Sequence, residues 1–123
     1  MAGKRILLVE DEPNIVESLR FILEKEGFEV DVVSDGSVAL DRLNAESPDA
    51  VVLDIMLPGM NGFDVLRTIR KDANLANLPV IVLTAKGQPN DRKMAETIGA
   101  TAFITKPYSN LEVIECVRSH AGQ

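Results

Sequence analysis

The most constraining feature of this sequence is a strict alternation of short β-branched runs with longer amphipathic segments, repeated five times along the chain. The runs are rich in Val, Ile and Leu, which is typical of buried strands. The segments between them carry apolar residues at helical spacing, and several end at Gly or Pro. This alternation predicts an α/β fold with a parallel sheet covered by helices on both faces.

We therefore expect five strand–helix pairs. The predicted strands are Arg5–Val9, Glu29–Val33, Ala50–Leu53, Val80–Leu83 and Ala102–Thr105. The predicted helices cover about Pro13–Glu26, Ser37–Glu46, Gly62–Lys71, Asn90–Ile98 and Asn110–His120. Either Asp35 or Ser37 is expected to cap the second helix. In the last helix, Leu111, Ile114 and Val117 are expected to face the core.

Composition limits the class of protein. A chain of 123 residues with 46% apolar residues can form one domain with a real core, and we expect a single domain over residues 1–123. The net charge of −6 argues against direct binding to nucleic acids or anionic membranes. One cysteine, the lack of a signal peptide and the lack of a long apolar run indicate a cytoplasmic protein without a membrane segment.

Polar residues follow four of the five predicted strands. Glu10 and Asp11 come after the first strand, Asp54 after the third, Thr84 after the fourth and Lys106 after the fifth. Each alone is more often a helix cap, a turn residue or a surface residue. Ligands of open parallel sheets bind beyond the carboxyl ends of the strands, so their joint occurrence at that edge predicts a site.

The acids at this edge indicate a cation. If the first and third strands are neighbours, Glu10, Asp11 and Asp54 converge, and like charges about 4 Å apart repel by roughly 4 kcal/mol. Such a cluster must take up protons or bind a cation. Oxygen ligands suit Mg²⁺ or Ca²⁺, and a shallow site with few protein ligands favours Mg²⁺.

Four segments of the chain resemble bacterial response-regulator receiver domains. They are Ile6–Glu12, Val51–Gly62, Leu83–Ala85 and Gly99–Pro107. The resemblance covers essentially the whole chain, and the motifs are specific as an ordered set. It implies a flavodoxin-like, doubly wound (βα)5 three-layer sandwich with strand order 2-1-3-4-5.

The resemblance also implies roles for the acids. Asp54 would be the phosphoacceptor of a two-component or phosphorelay signalling switch. Asp11 and Asp54 would bind Mg²⁺ directly, together with the backbone carbonyl of Met56. Glu10 would act mainly through metal-bound water. A receiver of this kind assists its own phosphorylation and dephosphorylation but is not an enzyme with a separate substrate.

Other residues would complete the switch. Lys106 would pair with the acceptor carboxylate or the phosphoryl oxygens, and Thr84 would hydrogen-bond the phosphoryl group. A cis peptide bond between Lys106 and Pro107 would place the lysine. Phe103 would be the aromatic that turns inward after phosphorylation, although plain core packing is the alternative for it.

The resemblance implies partners as well. A sensor histidine kinase or a histidine phosphotransfer protein would donate the phosphoryl group. A downstream effector would bind the surface of the fourth helix, fifth strand and fifth helix, and a homodimer could form on phosphorylation. Candidate contributors to this output surface are Lys93, Met94, Phe103, Tyr108 and Glu112.

Two positions modulate dephosphorylation in receivers, and here they are Met56 and Lys86. Met56 has no polar group to orient an attacking water, so we expect a phosphoryl lifetime of minutes or longer. Phe103 lacks the hydroxyl of the tyrosine found in many relatives.

Three other interpretations compete. A phosphohydrolase of the haloacid dehalogenase type wants a second acid two residues after the nucleophile, where this chain has Met56. A receiver cut from a DNA-binding regulator or hybrid kinase is the second, although a chain from Met1 to Gln123 favours a stand-alone receiver. The third is an inert pseudo-receiver, and the complete set of polar strand-end residues argues against it.

Overall fold

The computed structural model describes residues 3–57, 59–84 and 89–121. Five strands are present in them: β1 Arg5–Val9, β2 Glu29–Val33, β3 Ala50–Asp54, β4 Val80–Thr84 and β5 Ala102–Thr105. They alternate with five helices: α1 Pro13–Lys25, α2 Gly36–Ala45, α3 Gly62–Lys71, α4 Pro89–Ile98 and α5 Asn110–Ala121. Lys86, with its expected effect on dephosphorylation, and the motif residues Pro58 and Ala85 lie outside the described residues.

The strands form one parallel sheet in the order β2-β1-β3-β4-β5. This order confirms the predicted doubly wound fold. The register sets Val9 beside Leu53, Asp54 beside Leu83, and Thr84 beside Thr105. The carboxyl ends of four strands therefore lie along one edge of the sheet.

The core consists of two apolar layers, one on each face of the sheet. Helices α1 and α5 cover one face, and their buried residues pack on Ile6, Leu8, Val52, Ile81, Leu83 and Ile104. Helices α2, α3 and α4 cover the other face and pack on Leu7, Val9, Val51, Leu53, Val80 and Val82. Strands β3 and β4 are buried along their whole length, as expected for central parallel strands.

Local signals account for several helix ends. Pro13 begins α1, where a helix needs no amide hydrogen, and Gly27 follows it with a φ of 94°. Asp35, rather than Ser37, caps α2: its Oδ1 accepts a hydrogen bond from the Ser37 amide at 2.8 Å. Within the described ranges, no helix is long and apolar enough to cross a membrane.

The prediction that Leu111 faces the core was wrong. Its side chain lies in the first turn of α5 and is 62% exposed. The buried stripe of this helix instead runs through Val113, Val117 and Ala121, each four residues after the last. Spacings of three and of four residues both fit a helical face, so the sequence alone did not select between the two stripes.

Candidate functional site

Three polar side chains are buried at the carboxyl edge of the sheet. Glu10 is 1% exposed, Asp54 is 4% exposed and Thr84 is 2% exposed. In the described part of the chain, these are the only polar or charged residues that are buried. All three were selected from the sequence as site residues. Buried groups of this kind cost free energy unless they are paired, so their clustering at one edge marks a site.

Asp54 ends β3 and is held by one donor on each carboxylate oxygen. The Met56 amide donates to Oδ1 at 2.9 Å, and the Lys106 ammonium donates to Oδ2 at 2.9 Å. The Lys106 side chain is 29% exposed, while that of Asp54 is only 5% exposed. The structure thus pairs the nearly buried Asp54 carboxylate with the Lys106 ammonium, which still reaches solvent.

The backbone fixes Lys106 opposite Asp54. The Lys106 amide donates to the Thr84 carbonyl at 2.8 Å, which extends the pairing of β4 and β5 by one residue. The peptide bond from Lys106 to Pro107 is cis. Lys106 is therefore anchored at the strand ends, and its side chain crosses from β5 to β3.

A close approach of α3 closes the other side of the site. A Cβ atom on Gly62 would lie 2.6 Å from the carbonyl oxygen of Asp54, so only glycine fits without a shift. The Gly62 amide donates to the Ile55 carbonyl at 3.1 Å. Asn61 then caps α3 by accepting a hydrogen bond from the Phe63 amide at 2.7 Å. These contacts fold the loop after Asp54 back on itself.

Glu10 is the member of the site whose carboxylate lacks a hydrogen-bond partner on one oxygen. Its Oε2 accepts hydrogen bonds from the amides of Asp11 and Glu12 at 3.1 and 3.2 Å. Its Oε1 is buried and has no hydrogen-bond partner. Burial raises the pKa of Glu10 to about 7, and the neighbouring Asp54 carboxylate adds to the increase. A buried oxygen in this condition calls for a proton or a cation.

Asp11 differs from the two buried acids in its exposure to solvent. It is exposed, and it lines an open cleft with Ile55, Met56, Leu57 and Asn61. Among the described residues, no three His, Cys, Asp or Glu side chains are grouped so as to enclose a metal ion. The oxygen donors and the unpartnered Glu10 Oε1 fit a hard cation that keeps several waters, which is the habit of Mg²⁺.

Thr84 and Phe103 lie on the α4 side of the sheet. The Thr84 hydroxyl donates to the Thr105 hydroxyl at 3.4 Å. Phe103 is partly buried against the core on this side, and the guanidinium carbon of Arg92 lies 4.4 Å from the centre of its ring. Neither Arg92 nor Thr105 was selected as a site residue from the sequence, because exposed arginines and strand threonines are common in any fold.

The proposed output residues fall into two groups. Lys93 and Met94 are exposed on α4, as an output surface requires. Tyr108 is only partly exposed, and its pKa is raised by burial and by the charges of Glu10 and Asp54, so it borders the acidic site.

Glu112, at the start of α5, also has a local structural role. Its amide donates to the Ser109 hydroxyl at 3.1 Å, and its carboxylate accepts from the Ser109 amide at 3.4 Å. This reciprocal pair is a capping box, which accounts for Glu112 without any partner.

Comparison with protein families gives a match over most of the chain. The model described as "Response regulator receiver domain" matches residues 6–118. The sensory transduction protein RegX3 of Mycobacterium tuberculosis is 42% identical over 114 residues, which are 93% of this chain and 49% of that protein. The DNA-binding response regulator MtrA of Mycolicibacterium smegmatis is 41% identical over 116 residues, which are 94% of this chain and 50% of that protein. The chain thus spans about half the length of these relatives.

A solved structure agrees with this match. The receiver domain of the sensor histidine kinase PA1611 from Pseudomonas aeruginosa superposes with a TM-score of 0.91 at 31% identity. The match covers 99% of this chain and all of that one. That structure is described as having a magnesium ion coordinated in the active site cleft.

Proposed function

The chain belongs to the response regulator receiver domain family, a two-component phosphoacceptor switch, and from this premise we propose that Asp54 is its phosphoacceptor. The family predicted from the sequence is thereby confirmed. The observation that carries the assignment is the pairing of the nearly dry Asp54 carboxylate with Lys106 Nζ at 2.9 Å. In the described residues, no other aspartate is buried at the carboxyl edge of the sheet.

The chemistry that this geometry supports is transfer of a phosphoryl group from a phosphohistidine. One Asp54 oxygen forms a bond to phosphorus, the P–N bond breaks, and its electron pair stays on the histidine nitrogen. The carboxylate is a weak nucleophile and the phosphoryl group is anionic, so positive charge must offset repulsion. Lys106 supplies one such charge, because its ammonium already contacts Asp54 and remains partly open to solvent.

Mg²⁺ would supply the remaining positive charge beside the phosphoryl oxygens. Asp11, Asp54 and the backbone carbonyl of Met56 are its proposed ligands, with Glu10 acting through bound water. Two properties of the chain support this: the unpartnered buried oxygen of Glu10, and the exposed position of Asp11 on the cleft beside Met56. The magnesium ion in the PA1611 receiver gives the same cation in a protein of the same fold.

After transfer, the new acceptor oxygens would draw the Thr84 hydroxyl toward Asp54. Thr84 is suited to this role because it ends β4, is 2% exposed and pairs in register with β5. Phe103 lies on β5 two residues before Thr105, the residue that pairs with Thr84, and it packs against the core beneath α4. We propose that the movement of Thr84 is coupled to Phe103 and so changes the α4–β5–α5 surface.

We infer the partners from the phosphoacceptor chemistry of the site. The donor would be a sensor histidine kinase or a histidine phosphotransfer protein, and the target an effector bound at the α4–β5–α5 surface, with a homodimer as a further outcome. Because MtrA is a DNA-binding response regulator about twice as long, a DNA-binding unit in the native gene product is the second candidate architecture. The single cysteine, which leaves no pair for an internal disulfide, supports a cytoplasmic location.

Intact-mass spectrometry with acetyl phosphate and Mg²⁺ tests the acceptor. We expect a gain of about 80 Da, the mass of one phosphoryl group, that requires Mg²⁺ and is lost in Asp54→Asn. Asp41→Asn, on α2, is the matched control and should gain the same mass as the wild type. A gain that persists in Asp54→Asn would show that another residue is the acceptor.

A further inference from the structure

One face of β5 carries two contacts that the phosphoacceptor site does not need. Phe103 and Thr105 are two residues apart on this strand, so their side chains point to the same face of the sheet. Thr105 contacts Thr84 of the neighbouring strand, and Phe103 contacts Arg92 in the first turns of α4. The same face of one strand thus links the site to the helix above it.

The first contact occupies the hydroxyl that the switch must use. Thr84 is 2% exposed, so its hydroxyl depends on a protein partner, and the structure gives it Thr105 at 3.4 Å. This distance is long for two hydroxyls, which usually lie about 2.7–2.8 Å apart. The bond is therefore weak enough to be exchanged for a phosphoryl oxygen, yet its loss without a replacement leaves a buried hydroxyl unpaired.

The second contact fixes the ring of Phe103. The Arg92 guanidinium lies 4.4 Å from the ring centre, well within the range of an attractive cation–π contact. Arg92 itself is exposed, whereas the other side of the ring packs against the core. If the ring turns further inward, it loses the guanidinium and gains only core contacts.

We propose that Arg92 and Thr105 are positioning residues that together hold the arrangement seen here, in which Asp54 pairs directly with Lys106. This inference rests on the proposed function. The Thr84–Thr105 and Arg92–Phe103 contacts are present in the unphosphorylated arrangement and are lost in the phosphorylated one. Each contact therefore shifts the equilibrium between the two arrangements by its own free energy. Removing either contact should therefore favour the phosphorylated arrangement.

The test measures the rate at which acetyl phosphate and Mg²⁺ add phosphoryl mass. Arg92→Ala should be phosphorylated about two- to fivefold faster than the wild type, the factor that corresponds to one cation–π contact. Thr105→Val should be about twofold faster, because its hydrogen bond is long and weak. Arg92→Lys and Thr105→Ser keep a cation and a hydroxyl and should return toward the wild-type rate.

A second readout follows the ring itself. The chain has four phenylalanines, so protein labelled with 4-fluorophenylalanine gives a simple ¹⁹F spectrum, and Phe103→Leu identifies the resonance of Phe103. In unphosphorylated Arg92→Ala this resonance should move toward its position in the phosphorylated wild type. Glu96→Ala removes one exposed charge from the same helix and should change neither readout.

The outcomes separate the two proposals. A wild type that gains no phosphoryl mass would refute the proposed function and this inference with it. A wild type that is phosphorylated, with Arg92→Ala at the wild-type rate and an unmoved Phe103 resonance, would overturn the inference alone. Thr105→Val that merely unfolds at lower temperature, with an unchanged rate, would assign Thr105 a structural role only.

Discussion

Two cations at opposite edges of the same sheet are held in very different ways. Arg70, on α3, donates hydrogen bonds to the carbonyls of Gly99, Ala76 and Leu78 at 2.7–3.1 Å and to the Thr101 hydroxyl at 3.2 Å. These acceptors lie around the amino ends of β4 and β5. Lys106, at the carboxyl ends, donates to Asp54 beside a buried acid that lacks one partner.

The comparison separates stability from function. Arg70 satisfies three loop carbonyls. Burial lowers its pKa, but an arginine starts from so high a pKa that it stays charged. The carboxyl edge does the reverse: the Glu10 Oε1 stays unpartnered beside Asp54. A buried polar group without a hydrogen-bond partner can bind a ligand, whereas the donors of Arg70 are already used within the fold.

The largest expected effect is on folding at the Arg70 edge. Arg70→Met removes the donors to three part-buried carbonyls and should lower the free energy of unfolding by about 3 kcal/mol, at about 1 kcal/mol for each hydrogen bond lost. Urea unfolding would measure it. Arg67→Met, on the same helix but with an exposed ion pair to Asp64, is the control and should cost less than about 1 kcal/mol. A large loss of phosphorylation rate in folded Arg70→Met would contradict the assignment of stability to the amino ends of the strands and of chemistry to their carboxyl ends.

The next effect is on chemistry at the opposite edge. Lys106→Met should slow phosphorylation from acetyl phosphate by about 100-fold, the usual loss for one electrostatic group aimed at developing charge. Lys71→Met, at an exposed position on α3, should keep the wild-type rate. If Lys106→Met were phosphorylated at the wild-type rate, the ion pair with Asp54 would be structural instead.

The smallest expected effect is on the lifetime of the acyl phosphate, which depends on the residue at position 56. The Met56 side chain is 73% exposed and offers no polar group near Asp54, so we expect the acyl phosphate to last for minutes or longer at neutral pH with Mg²⁺. Met56→Asn should shorten that lifetime about fivefold, which is roughly 1 kcal/mol for one hydrogen bond to the attacking water. Met56→Leu should leave it unchanged. The decay of the phosphorylated mass measures all three, and decay of the wild type within seconds would refute the expectation.

The order of elements and the position of the site were readable from the sequence because both depend on local pattern. Five strand–helix alternations indicated the class of fold, and polar residues after four of the five strands marked the edge where ligands bind. Even so, β3 and β4 extend one residue further than expected, since Asp54 and Thr84 themselves pair with the next strand.

Long-range contacts were not readable. Arg70 carries no local signal, because its acceptors lie 6 to 31 residues away in the chain. Glu10 and Asp11 are adjacent and alike, yet Glu10, whose amide still donates to the Val33 carbonyl of β2, is buried, and Asp11 is exposed. Arg92 and Thr105 gained meaning only through the residues that the sheet brings to them.

The most direct test of the account is chemical identification of the phosphorylated residue. After phosphorylation with acetyl phosphate, borohydride reduces an acyl phosphate to a primary alcohol and releases phosphate, which leaves homoserine in place of aspartate. Peptide sequencing by mass spectrometry then locates it. The account predicts homoserine at position 54 alone, with Asp11 and Glu10 unmodified. Homoserine at any other aspartate, with Asp54 intact, would contradict it.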